Sequence, residues 1–302
     1  MIVDWHVHLF PTRDVGRAVL EDVRRSYGAS YHSLGTPDEY LVDMGRAGID
    51  FGVVQSFAPD RQLKNNNFWT VAITRPKKSG PAAYPMLVPF VSVSPTMKGK
   101  TPVQELDHKL AWGMQGVKIH PIAQGFAPDD RRMWPVYEWL VEHNLPLTAH
   151  SGVNIVADEN TDMARPRRWL PVLEAFPGLR LVLAHMGGGF WKEALEIARR
   201  HPQVMLDTAI ALCSQKTSDL TWLNDAQAVE MIRAVGAERV LFGSDYPWVD
   251  PAGDVERIRS LPLTLEEKRL ILGENAARAL GFALRPMSSQ AAPVAATETC
   301  ND

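Results

Sequence analysis

The stretch Val3-Asp4-Trp5-His6-Val7-His8-Leu9-Phe10-Pro11 sets two histidines two positions apart at the end of a short apolar run. In an extended strand, residues i and i+2 share a face. His6 and His8 can therefore reach one ion together, with Asp4 expected lower on the same face. Imidazole suits zinc, iron, manganese and related ions. A lone H-x-H is more often a pair of solvated histidines. The pattern gains meaning because later strand-like runs also end in His or Asp.

Working outward, eight runs rich in Val, Leu, Ile and Phe read as buried strands: 1–6, 51–56, 86–93, 116–120, 145–150, 180–185, 204–207 and 239–245. Their nearly continuous apolarity suits parallel strands covered on both sides. Helical patterns separate many of them. Thr36 caps a predicted helix through Ala47, and others are expected over 102–114, 132–143, 167–176, 192–200, 226–236 and 264–280, the last closed by Gly281. This alternation predicts a single (β/α)8 barrel over residues 1–284, followed by a disordered tail at 285–302. A doubly wound sheet is the competitor, but no glycine-rich nucleotide-binding motif follows a strand. Two long connections, 11–37 and 58–84, leave the carboxyl ends of strands 1 and 2. They are read as substrate-shaping insertions, with solvated loop as the alternative.

The 302 residues carry a formal net charge of −3, with 45% hydrophobic and 22% charged side chains. That balance gives no broad field for nucleic acid or a membrane surface, and no apolar run reaches membrane-spanning length. The two cysteines, Cys213 and Cys300, form no C-x-x-C motif, and no structural disulfide is expected. Strand-like sequence starts at once, without a basic leader, so a cytoplasmic location is the expectation. The expected partner is a small-molecule substrate, with no nucleic acid and no membrane. Homo-oligomerisation is left open.

His120 ends strand 4, His150 strand 5, His185 strand 6 and Asp245 strand 8. In a barrel these endings meet His6 and His8 at one mouth. Any one of them alone is more often structural. Together they make a strong signal, because a hydrophobic scaffold has little reason to end so many strands in metal-binding types.

This ordered set, with Gly243-Ser244-Asp245-Tyr246-Pro247-Trp248 and the closing Gly273-Glu274-Asn275-Ala276-Ala277-Arg278, resembles the amidohydrolase superfamily of metal-dependent TIM barrels. More narrowly it resembles the amidohydrolase-related branch that includes aminocarboxymuconate-semialdehyde decarboxylase. The resemblance implies that His6, His8, His150 and Asp245 hold one divalent metal, Zn2+ first, with Mn2+ or Fe2+ as alternatives. Asp245 would also accept a proton from the activated water, and His185 would be the catalytic histidine. The other reading of His185 is a further metal ligand or an orienting residue.

Lys118 lies two residues deeper than His120. In the binuclear branch of the superfamily a strand-4 lysine is carboxylated; here a buried ion pair, with Asp4 as the partner, or a substrate anchor is expected instead. His120 is then expected to support a metal ligand or to touch substrate, with binding of a second metal as the other reading. Arg13, Arg61, Asn154 and Arg165, with Lys64 and Gln124, follow strands near the mouth and are candidate substrate contacts. Trp5, Trp69 and Trp248 either line an aromatic pocket or pack in the core.

The expected activity is metal-dependent hydrolysis of an ester, lactone or amide of a small, carboxylate-bearing compound. The alternative is non-oxidative decarboxylation of an aromatic or enol-like acid, since one ligand set serves both. Many decarboxylases of the branch carry Glu after the strand-6 H-x-G. This chain has Gly187-Gly188-Gly189, which is read as leaving room for substrate and tilts the expectation slightly toward hydrolysis. A metal-free lactonase and a non-catalytic metal-storage protein are weaker readings.

Overall fold

A computed structural model describes residues 1–75, 84, 86–154 and 160–282. The tail expected at 285–302 lies outside these residues. Eight parallel strands pair in the order of the chain: β1 Val3–Val7, β2 Phe51–Gln55, β3 Leu87–Val91, β4 Gly116–Ile119, β5 Leu147–Ala149, β6 Leu181–Leu183, β7 Met205–Asp207 and β8 Val240–Leu241. The ring closes through backbone bonds from Trp5 N–H to Phe242 O (2.8 Å), His8 N–H to Tyr246 O (2.7 Å) and Asp245 N–H to His6 O (2.9 Å). The fold is the (β/α)8 barrel that the alternating pattern predicts.

All eight predicted strands form within their apolar runs, except that β1 runs one residue further, to Val7. The barrel interior is filled by Val3, Trp5, Val53, Val88, Phe90, Val182 and Leu241, with Ala276 and Ala279 of the closing helical region packed against them. The helix Pro37–Ala47 (below, α2) starts where predicted: the Thr36 side chain accepts from Glu39 N–H, and Glu39 reaches back to Thr36 N–H. Gly281 adopts the left-handed cap, φ 71°.

The two long connections are not simple loops. The first holds helix α1, Arg13–Tyr27, capped by Thr12 at its start and by left-handed Gly28 at its end. The second holds α3, Asp60–Thr74. A further helix, Pro251–Ser260, begins with Asp250 accepting from Ala252 N–H and was not foreseen. No helix among the described residues is long and apolar enough to cross a membrane.

One departure from strand periodicity matters for the site. The β1–β2 register shifts between Asp4 and Val7, the mark of a β-bulge. Trp5 and His6 consequently both reach across the barrel. Trp5 Nε1 donates to Thr148 Oγ1 (2.9 Å), and His6 meets residues of β4 and β7. Asp4 does not share the face of His6 and His8. Its carboxylate is held by Tyr40 of α2 and by Ser244, and it caps the displaced N–H of His6 (3.2 Å).

Candidate metal centre and substrate cavity

The bulge delivers His6 and His8 to the carboxyl end of the barrel. His6 is fully buried, and its Nδ1 lies 2.8 Å from Asp207 Oδ2 at the end of β7. A carboxylate accepts, so the His6 proton sits on Nδ1 and Nε2 offers a lone pair. His8 Nδ1 lies 2.9 Å from the carbonyl oxygen of Gln55, which likewise fixes its Nε2 as a lone pair. Both Nε2 atoms face Asp245 Oδ1, at 3.4 Å from His6 and 3.2 Å from His8. That oxygen is buried and has no hydrogen-bond donor. Three acceptor atoms, all within 4.8 Å of one another, converge where water is scarce. Such a set calls for a cation, and its chemistry fits a divalent metal.

His150 and His185 form a second arm. His185 Nδ1 lies 3.1 Å from Ala209 O, so this nitrogen carries the proton and Nε2 accepts. The partner at 3.1 Å is His150 Nδ1, which must therefore donate, leaving His150 Nε2 as a lone pair. That Nε2 is buried without a partner. The relay from Ala209 through His185 thus presents His150 in the form a metal ligand requires. His150 stands apart from the close cluster of His6, His8 and Asp245. Both nitrogens of His185 are engaged within the protein.

His120 stacks flat on His150, with centroids 3.9 Å apart and planes at 7°. Its Nδ1 accepts from Ala123 N–H (3.3 Å), so its Nε2 carries a proton available for donation. Burial, first of all, lowers the pKa of His6, His120, His150 and His185, and Lys118 adds to the effect at each. These rings are neutral near pH 7.

Lys118 is 1% exposed, and its Nζ lies 2.9 Å from His6 Nε2. Burial pulls its pKa down to about 8, while Asp207 and Asp245 pull the other way. The expected pair with Asp4 is not made, because the bulge turns Asp4 toward Tyr40 and Ser244. Burial lifts Asp4 to about 6 against those hydrogen bonds.

The histidines and Asp245 lie in a cavity of about 990 Å3. Asn154, Trp69 and Trp248 line it, whereas Trp5 packs in the core against Phe90. Among the described residues no arginine lines it. Arg13 is paired with Glu39 (2.6 Å), Arg165 with Glu193 while lying over Phe190, and Arg61 is exposed. Lys64 is also exposed, and the Gln124 amide is spent on Ser92 and Val93.

The glycine run after His185 serves packing rather than substrate space. A Cβ on Gly188 would lie 2.2 Å from Ser151 O, and one on Gly187 would lie 2.6 Å from Ala194 Cβ. Close backbone approach here brings the β5 and β6 loops, and hence His150 and His185, together. Strain gathers at the same rim: His185, Met186, Ile210 and Asp245 all hold positive φ, between 50° and 66°.

Sequence reasoning missed Asp207, although it ends a predicted strand in the same way as the histidines do. It accepts from His6, from His185 N–H (2.8 Å) and from Ala209 N–H (3.2 Å), and so ties both arms together. Burial raises its pKa, opposed by His185 and Lys118.

Fold and site together define a metal-dependent enzyme built on a (β/α)8 barrel. An amidohydrolase family model matches residues 3–282, and the chain belongs to that family. No curated protein matches the sequence. Among solved structures, an uncharacterised TIM-barrel protein from Bordetella bronchiseptica is 22% identical, with a TM-score of 0.73, covering 93% of this chain and 98% of that one. 5-Carboxyvanillate decarboxylase from Sphingomonas paucimobilis is 19% identical, with a TM-score of 0.68 and coverage of 93% and 99%. A dihydroxybenzoic acid decarboxylase from Polaromonas sp., solved with manganese and 2-nitroresorcinol, is 14% identical, with a TM-score of 0.68 and coverage of 93% and 96%. At these identities the likeness speaks for the fold.

Proposed function

We propose that the protein is a hydrolase of an uncharged ester or lactone, acting on a water activated at His6, His8, His150 and Asp245. The observation that carries this reading is the convergence of His6 Nε2, His8 Nε2 and Asp245 Oδ1, acceptors on two buried residues and one partly buried one, in the cavity. A divalent ion held there, Zn2+ in this reading, would supply Lewis acidity to a water and to the substrate carbonyl. Asp245 takes the proton of the attacking water at its carboxylate. His120 donates from Nε2 toward the substrate oxygen. Asp207 and His185 hold the tautomers of His6 and His150.

The lining also bears on substrate charge. The arginines expected to grip a carboxylate are paired elsewhere or exposed, and the buried cation Lys118 is engaged with His6. This supports an uncharged substrate over the carboxylate-bearing one that the sequence suggested. The decarboxylase names among the solved structures favour a second reading, loss of carbon dioxide from a hydroxylated aromatic acid. Metal-loaded protein should be offered esters, lactones, amides and aromatic acids. Products that gain water support hydrolysis. Carbon dioxide release, with esters and lactones untouched, would replace it by decarboxylation.

A further inference from the structure

We infer that α1 is a specificity wall, and that the substrate carries an extended apolar group lying along Val15, Val19 and Val23. This rests on the hydrolase reading and adds the substrate's shape to it. The three valines recur at i, i+4 and i+8, which places them in one stripe on the helix. All three line the cavity that holds His6, His8 and Asp245. Val15 and Val19 remain 41% and 40% exposed, so the stripe is not consumed by the protein's own core.

The rest of the helix explains why the stripe faces inward. Leu20 is fully buried, and a Cβ on Gly16 would lie 2.0 Å from Leu34 O, so that side is seated tightly on the body of the protein. Glu21 accepts from Tyr31 Oη (2.6 Å) and anchors the far end. Arg17, Asp22, Arg24 and Arg25 are exposed and occupy the solvent side. Valine is a modest helix former, so three in one half-exposed stripe do not serve helix stability. Phe57, Trp69 and Trp248 supply further apolar lining of the same cavity. The volume of about 990 Å3 is at the upper end of ligand pockets and exceeds what a single ring needs. Lys216, in the same lining, is engaged with Asp219 rather than free for a charged tail. The class of substrate that fits is an ester or lactone with a medium-length alkyl or acyl chain.

The test uses the full chain loaded with zinc and p-nitrophenyl esters from acetate to octanoate. kcat/KM should rise by about three- to fourfold per added methylene until the cavity is filled. Val19→Asn, with metal content unchanged, should lower the octanoate-to-acetate ratio by roughly tenfold, the scale of one apolar side chain's burial. Acetate turnover with no chain-length dependence, or an unchanged ratio in Val19→Asn, would overturn the inference while leaving the hydrolase reading in place. Should every ester prove inert, the hydrolase reading fails. The wall is then judged by binding of the neutral apolar fluorophore N-phenyl-1-naphthylamine: affinity lost in Val19→Asn supports it, and no binding to the unaltered protein refutes it. A dimer that Val19→Asn dissociates would assign the stripe to a second copy and also refute it.

Discussion

Lys118 Nζ lies 2.9 Å from His6 Nε2, the same nitrogen that faces Asp245 Oδ1 at 3.4 Å. One lone pair is thus shared between a buried ammonium and the point where a divalent cation would sit. A Zn–N bond of about 2.0 Å places an ion within van der Waals reach of that ammonium. Lys118 must give way when the ion binds. Replacing Lys118 by Met removes a competing cation and should tighten zinc binding by roughly tenfold, the scale of one charge-assisted hydrogen bond. Calorimetric titration of the metal-free protein reads this directly. Weaker binding in Lys118→Met would show that the lysine supports the ion instead.

Asp207 and His185 act on the ligands rather than beside them. Asp207 fixes His6 through Nδ1, and His185 fixes His150 through Nε2. Partners of this kind typically carry about 10–100-fold in metal affinity. Asp207→Asn and His185→Gln should each weaken zinc binding on that scale, with turnover falling in step when metal is limiting. Full metal affinity with turnover lost in His185→Gln would instead put this ring on the substrate.

Away from the metal site, Asp254 offers a test of burial. It is 2% exposed, and burial, opposed by its hydrogen bonds to Ser214, raises its pKa to about 7. Its unfolded value lies near 4, so between about pH 4 and 7 the folded chain keeps a proton that the unfolded chain has lost. Stability therefore falls as pH rises through that window, and the loss is complete above about pH 7. Asn keeps an acceptor for Ser214 N–H, which Asp254 holds at 2.7 Å, and never ionises. Asp254→Asn should raise the melting temperature more at about pH 8 than at about pH 5, with an upper limit of about 4 kcal/mol. An equal offset at both pH values would mean that this carboxyl is not perturbed.

The barrel was legible because parallel strands buried on both sides read as continuous apolar runs. α2 was legible from its Thr36…Glu39 capping pair. The helix α3 was not, because its Asn65-Asn66-Asn67 run favours turns and Pro59 offers no side-chain cap. The stripe of α1 faces a cavity instead of the core, so its pattern resembled an exposed loop. Strand-end chemistry pointed to His6, His8 and Asp245, which the fold brings together. The face of Asp4 was misjudged because a one-residue bulge breaks the period of two, and nothing local announces it. The carboxylates that capture Arg13 and Arg165, Glu39 and Glu193, are 26 and 28 positions away, and only the folded chain shows the pairing.

The central claim is that His6, His8, His150 and Asp245 hold one divalent ion on which turnover depends. Metal-free protein should be titrated with zinc or manganese while bound metal and ester turnover are followed together. Activity should rise with occupancy and saturate at about one ion per chain, and His6→Ala and Asp245→Ala should lose both binding and activity. Full turnover in chelator-treated protein would contradict the claim, as would saturation at two tightly held ions with a carbamate on Lys118.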